Sequence, residues 1–71
     1  MADLQLLRSE IDKSGMTIVA IAEKSGIKRE TLYNRLNGTT DFSASEIVSM
    51  TKVLRLTKEL RDKIFLTERC N

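Results

Sequence analysis

Apolar residues recur along this chain at intervals of three and four. Leu4, Leu7 and Ile11 form one stripe, Ile18, Ile21 and Ala22 a second, Leu32 and Leu36 a third, Ile47, Met50, Val53 and Leu54 a fourth, and Leu60, Ile64 and Phe65 a fifth. That spacing stacks side chains on one face of an α-helix, so the pattern predicts five helices and no strands, an all-α fold. Polar residues mark the boundaries. Asp3 is placed to cap the first helix and Gly15 to stop it; Thr17 caps a second helix, IVAIAEKS, which Gly26 ends. Ser43 and Glu46 have the spacing of a capping box, with Phe42 placed just ahead to staple onto Ile47. Thr57 caps the last helix, and ERCN reads as a frayed tail.

The third helix, spanning residues 28–37, is unusual because its apolar stripe is so thin. Taking Leu32 as the inward direction and about 100° per residue, Glu30 and Asn34 point outward. Tyr33 and Asn37 lie on one shoulder and Thr31 on the other. Two short helices joined across a glycine, the second polar outside and thinly apolar inside, describe a helix-turn-helix over approximately residues 17–37. Ala22 is small where the third helix must cross, Gly26 can take the left-handed conformation of the reversal, and Ile27 plugs the corner. Met16, Met50 and Leu54 are assigned to the core.

Composition narrows the classes. Hydrophobic residues are 41% and charged residues 31% of the chain, as in ordinary globular proteins, and no apolar run approaches a membrane span. A chain of 71 residues without proline, repeat or low-complexity tract is read as one domain, residues 1–71. The start MADLQLLRSE lacks signal-peptide character and the lone Cys70 has no internal partner, which places the chain in the cytoplasm. With no His, and with Glu10 and Asp12 two apart and diverging on a helix, the sequence offers no catalytic or metal-binding constellation; no enzyme activity and no cofactor are expected.

The formal charge is only +2, but it is unevenly spread. Through residue 23, Arg8 and Lys13 face Asp3, Glu10, Asp12 and Glu23; from Lys24 to Gly38, Lys24, Lys28, Arg29 and Arg35 face Glu30 alone. Positive charge therefore collects on the third helix. The cationic positions near the end, Lys58, Arg61, Lys63 and Arg69, are offset by Glu59, Asp62 and Glu68.

The exposed inventory suits the major groove of double-stranded DNA. Arg can bond guanine O6 and N7, Asn can bridge adenine N6 and N7, Glu accepts from cytosine N4, and Thr or Tyr can contact a base edge or a thymine methyl. The candidate base-contacting residues are Arg29, Glu30, Thr31, Tyr33 and Asn34. Thr17, Lys28, Arg35, Asn37, Thr39 and Thr40 are the candidates for the phosphate backbone. One such helix touches few base pairs, whereas two related by a dyad read half-sites about 34 Å apart, so a homodimer on DNA is expected. Leu60, Ile64, Phe65 and Leu66 are its candidate interface, with the alternative that a domain this small needs them for its own core.

The segment TIVAIAEKSGIKRETLYNRLNG resembles the helix-turn-helix of the XRE, or Cro/repressor-like, family at Ala22, Gly26, Ile27, Leu32 and the Asn-Gly pair after the third helix. TTDFSASEIVSMTKVLRLTKELRDKIFL is similar to the later helices of small phage and prophage regulators of Gram-positive bacteria. The resemblance implies a compact five-helix lambda-repressor-like fold, operator binding as a dimer and transcriptional control. Three positions depart from the family's habit: Ile18 stands where Gln is frequent, Lys28 where Ser or Thr caps the third helix, and Arg35 where an apolar residue is common, leaving the inward seam to Leu36. The competing expectation is a protein-interaction module of the same fold, an antitoxin, antirepressor or adaptor, with Tyr33 and the C-terminal apolar residues as anchors.

Overall fold

A computed structural model describes residues 2–66. The helices are α1 Leu4–Ser14, α2 Ile18–Ser25, α3 Arg29–Leu36, α4 Ala44–Leu54 and α5 Lys58–Phe65, with no strand among the described residues. Four of the five starts are held by the residue that the spacing nominated. Asp3 Oδ1 accepts from the Leu6 N–H, Thr17 Oγ1 from Ala20 and Thr57 Oγ1 from Leu60, each at 3.1 Å. At α4 the reciprocal box is complete: Ser43 Oγ accepts from the Glu46 N–H at 3.3 Å and Glu46 Oε1 from the Ser43 N–H at 2.9 Å. Each cap satisfies an amide that the helix itself cannot, an effect of about 1 kcal/mol.

Three of the five helices, α1, α2 and α4, end on a left-handed residue. Gly15 and Gly26 adopt it at φ 74° and 78°. α4 ends the same way on Arg55, at φ 55°, where no glycine is present to mark the stop. Its following residue explains why this is tolerated. The Leu56 N–H donates back to the Thr51 carbonyl at 3.0 Å while the Leu56 side chain is buried, so burial offsets the roughly 1–2 kcal/mol that an L-residue spends in that region.

The core consists of Leu7, Ile11, Ile21, Ala22, Ile27, Leu32, Leu36, Met50, Leu56, Ile64 and Phe65, and no charged or polar residue is buried among the described ones. α2 packs against both α3 and α4, and α1 and α5 close the other side. Met16, Ile47, Val53 and Leu54 are half-buried against the core, with Met50 fully inside. Phe42 and Ile47, placed together by the staple pattern, line one depression, and Phe42 also meets Phe65 edge to face with ring centroids 5.1 Å apart. The Asp3 N–H donates to the Ile64 carbonyl at 2.7 Å, fastening the start of α1 to α5.

This arrangement corrects part of the expected dimer surface. Ile64 and Phe65 face the monomer's own core, Leu60 is half-buried against it, and of the four only Leu66 is largely exposed, at 56%. A domain this small needs its α5 stripe for itself. The tail ERCN, with Arg69 and Cys70, lies outside the described residues.

Candidate nucleic-acid interface

α3 is fastened along one side only. Leu32 and Leu36 are 0% and 2% exposed, whereas Arg29, Glu30, Tyr33 and Asn34 are all exposed. The geometry follows from the sequence: residues three and four apart share a face, so two leucines four apart fasten the helix and leave the opposite side uncovered. Thr31 is half-buried and lines a hollow with Lys28, Ser45 and Ser49, so its shoulder faces the start of α4.

The turn leading into α3 is splinted by a serine. Ser25 Oγ donates to the Ala22 carbonyl and accepts from the Ile27 N–H, both at 3.3 Å, while the Gly26 N–H donates to the Ala22 carbonyl at 3.0 Å. Ile27 is buried and fixes the elbow. At the next position Lys28 is the N-cap residue, in extended backbone, and makes no side-chain cap bond. Its ammonium has only donors, so it cannot accept from the helix amides. Lys28 and Arg29 are thereby both exposed at the start of the helix.

The other end of α3 is held by two arginines. Arg35 Nε donates to Glu46 Oε1 at 2.8 Å and Nη2 to Glu46 Oε2 at 3.1 Å, a two-pronged ion pair, and Nη1 donates to Thr40 Oγ1. The side chains of Arg35 and Glu46 are only 20% and 16% exposed. The bond from Arg35 holds the Glu46 carboxyl below its ordinary range, assisted by the Ser43 N–H, and the same contact raises the Arg35 guanidinium. Arg35, expected to reach a phosphate, is thus drawn into a brace between α3 and α4. Arg8, on α1, donates through Nη2 to the Leu36 carbonyl at 3.4 Å and to Asn37 Oδ1 at 3.3 Å. Sequence reasoning missed this residue because its partners are 28 and 29 positions away and nothing local signals them.

The remaining candidates flank α3. Thr17, Asn37, Thr39 and Thr40 are exposed, but the Thr39 and Thr40 amides already donate to the Asn34 carbonyl, at 3.0 and 3.4 Å, leaving these two threonines their hydroxyls for other partners. Among the described residues no group of acidic, His or Cys side chains is arranged to hold a metal, and no helix is long and apolar enough to cross a membrane.

Comparison with curated proteins and with solved structures gave no match. A family model described as helix-turn-helix matches residues 7–60, which takes in α2, the turn, α3 and α4 entirely. That family is one of DNA-binding regulatory domains rather than enzymes. With most of its length inside that match, the chain belongs to the XRE-type helix-turn-helix family of DNA-binding transcription regulators.

Proposed function

We propose that residues 1–71 act as a single cytoplasmic DNA-binding domain, a repressor or Cro-like regulator that inserts α3 into the major groove of a palindromic operator as a homodimer, without a cofactor. The observation that carries this reading is the one-sided fastening of α3, with Leu32 and Leu36 buried and Arg29, Glu30, Tyr33 and Asn34 exposed together. These four are assigned to bases with Thr31 at their edge; Thr17, Lys28, Asn37, Thr39 and Thr40 are assigned to phosphates. Glu30 repels phosphate and is therefore useful only against a base or as a barrier to wrong sequences. A protein partner in place of DNA would call for apolar anchors, and on the exposed side of α3 Tyr33 stands alone among polar and charged neighbours, with the partly exposed Val19 of α2 beside Arg29. With Ile64 and Phe65 committed to the core, the dimer contact is assigned to the end of α5 around Leu66 and the exposed part of Leu60.

Selection of duplexes from a random pool tests the reading. It is expected to return a two-fold symmetric site whose binding weakens steeply with salt. On that site Arg29→Ala and Asn34→Ala are each expected to cost about 1–3 kcal/mol, with much smaller losses on unrelated sequence. Equal losses on every sequence would contradict the assignment to bases. Sedimentation that finds only monomer at micromolar concentration, with and without operator, would remove the dimer.

A further inference from the structure

We propose that Arg8 and Arg35 are positioning residues that hold Asn37 and Thr40 as hydrogen-bond donors toward phosphate oxygens beyond the end of α3; the proposal rests on the DNA-binding reading above. An Asn amide carries an acceptor on one side and two donors on the other, and can present either. A guanidinium has donors only, so the Asn37 atom that meets Arg8 Nη2 at 3.3 Å is the oxygen, and what Asn37 has left for another partner is its NH2 group. Thr40 is oriented in the same sense. Its Oγ1 accepts from Arg35 Nη1, so the hydroxyl hydrogen is left to donate elsewhere. Both residues are exposed, and among the described residues neither donor has another partner.

The two arginines are themselves fixed. Glu46 grips Arg35 by both of its oxygens, and Arg8 also meets the Leu36 carbonyl at 3.4 Å, where its charge offsets the negative end of α3 that would otherwise repel a phosphate. A phosphate oxygen only accepts. Two side chains held as donors are therefore matched to it before encounter, and the ordering that binding would otherwise require is already made. The nearby Thr39 and Thr40 amides are occupied by the Asn34 carbonyl, which leaves the side chains as the groups that can reach out.

The test uses the full chain and a duplex obtained by the selection above, with neutral methylphosphonate placed at one backbone position at a time. The phosphate of Asn37 is the one whose neutralisation weakens the wild type, by about tenfold for a hydrogen bond to a charged group, yet leaves Asn37→Ala unchanged. Arg8→Ala is expected to lose the same sensitivity at that position while keeping its sequence preference. Arg8→Lys, which retains a donor for Oδ1, is expected to restore it. Asn37→Asp keeps the acceptor for Arg8 but has no donor and brings a negative charge, so it is expected to fold and to bind the duplex better, not worse, when that phosphate is neutralised. Thr40→Val and Thr40→Ser make the parallel pair for Arg35. Arg8→Ala that retains the full wild-type response at the Asn37 phosphate would overturn the proposal while leaving DNA binding intact. A pool that returns no bound duplex would instead overturn the DNA reading, and the proposal with it.

Discussion

Two similar turns are built in this chain; the glycine amide reaches back three residues in the first and four in the second, and their last residues differ in what they do for the next helix. Ser14, Gly15, Met16 and Thr17 join α1 to α2; Ser25, Gly26, Ile27 and Lys28 join α2 to α3. In each the serine hydroxyl donates to the carbonyl three residues back and accepts from the amide two residues on, and in each the glycine is left-handed. The first turn then ends on a threonine that caps the next helix, whereas the second ends on a lysine that does not. The chain thus has a local solution for starting a helix and declines it at α3. On the proposed reading the outward cation serves the DNA-binding surface, and the missing cap costs the helix roughly 1 kcal/mol.

The largest effects test whether the two turns are equivalent in their backbone. A Cβ at Gly15 or Gly26 would meet nothing within 4 Å, so only the positive φ opposes it. Gly15→Ala and Gly26→Ala are each expected to lower stability by about 1–2 kcal/mol, and by similar amounts, in denaturant melts. A much larger loss at Gly26 would mean that the second turn carries a constraint the first lacks. Next comes the residue that differs. Lys28→Thr is expected to stabilise by about 1 kcal/mol, read as a rise of roughly 4–8 °C in melting temperature, while weakening DNA binding on all sequences and reducing the salt slope by about one. The serines follow. Ser14 makes bonds of 2.6 and 3.1 Å against 3.3 and 3.3 Å for Ser25, so Ser14→Ala is expected to cost more than Ser25→Ala, both near 1 kcal/mol.

The smallest expected effect concerns the brace at the far end of α3. Glu46 has its carboxyl pKa lowered in the fold, first by Arg35, so its contribution to stability is present above the unfolded carboxylate's pKa and is lost as pH falls through the lower folded value. Acid titration of stability should therefore show a loss below the ordinary carboxylate range that Glu46→Gln removes. An unchanged acid limb in that variant would mean that the ion pair contributes nothing.

The contrast between the turns also marks what could be read from the chain alone. Caps and stops at Asp3, Gly15, Thr17, Gly26, Ser43 and Thr57 depend on atoms a few residues apart, and each was legible because the chemistry is local. The end of α4 was not: Arg55 takes a conformation that only its buried neighbour Leu56 makes affordable. The partners of Arg8 and Arg35 were not legible for the same reason, since they lie far off in the chain and a charge by itself does not reveal what it will meet. Ile64 and Phe65 were legible as the inward stripe of α5 and were also offered as a dimer surface; their burial agrees with the first of these roles. The outward face of α3 was legible because two leucines four apart leave only one side of a helix free.

The central claim is that the free side of α3 meets the duplex. An amide chemical-shift titration of the isotope-labelled chain with the selected duplex tests it most directly. The strongest perturbations are expected at Arg29, Glu30, Tyr33 and Asn34, with smaller ones at Thr17 and Asn37 and none along the inner face of α5. Perturbations concentrated on α5 or on the outer side of α4, with α3 unmoved, would contradict it.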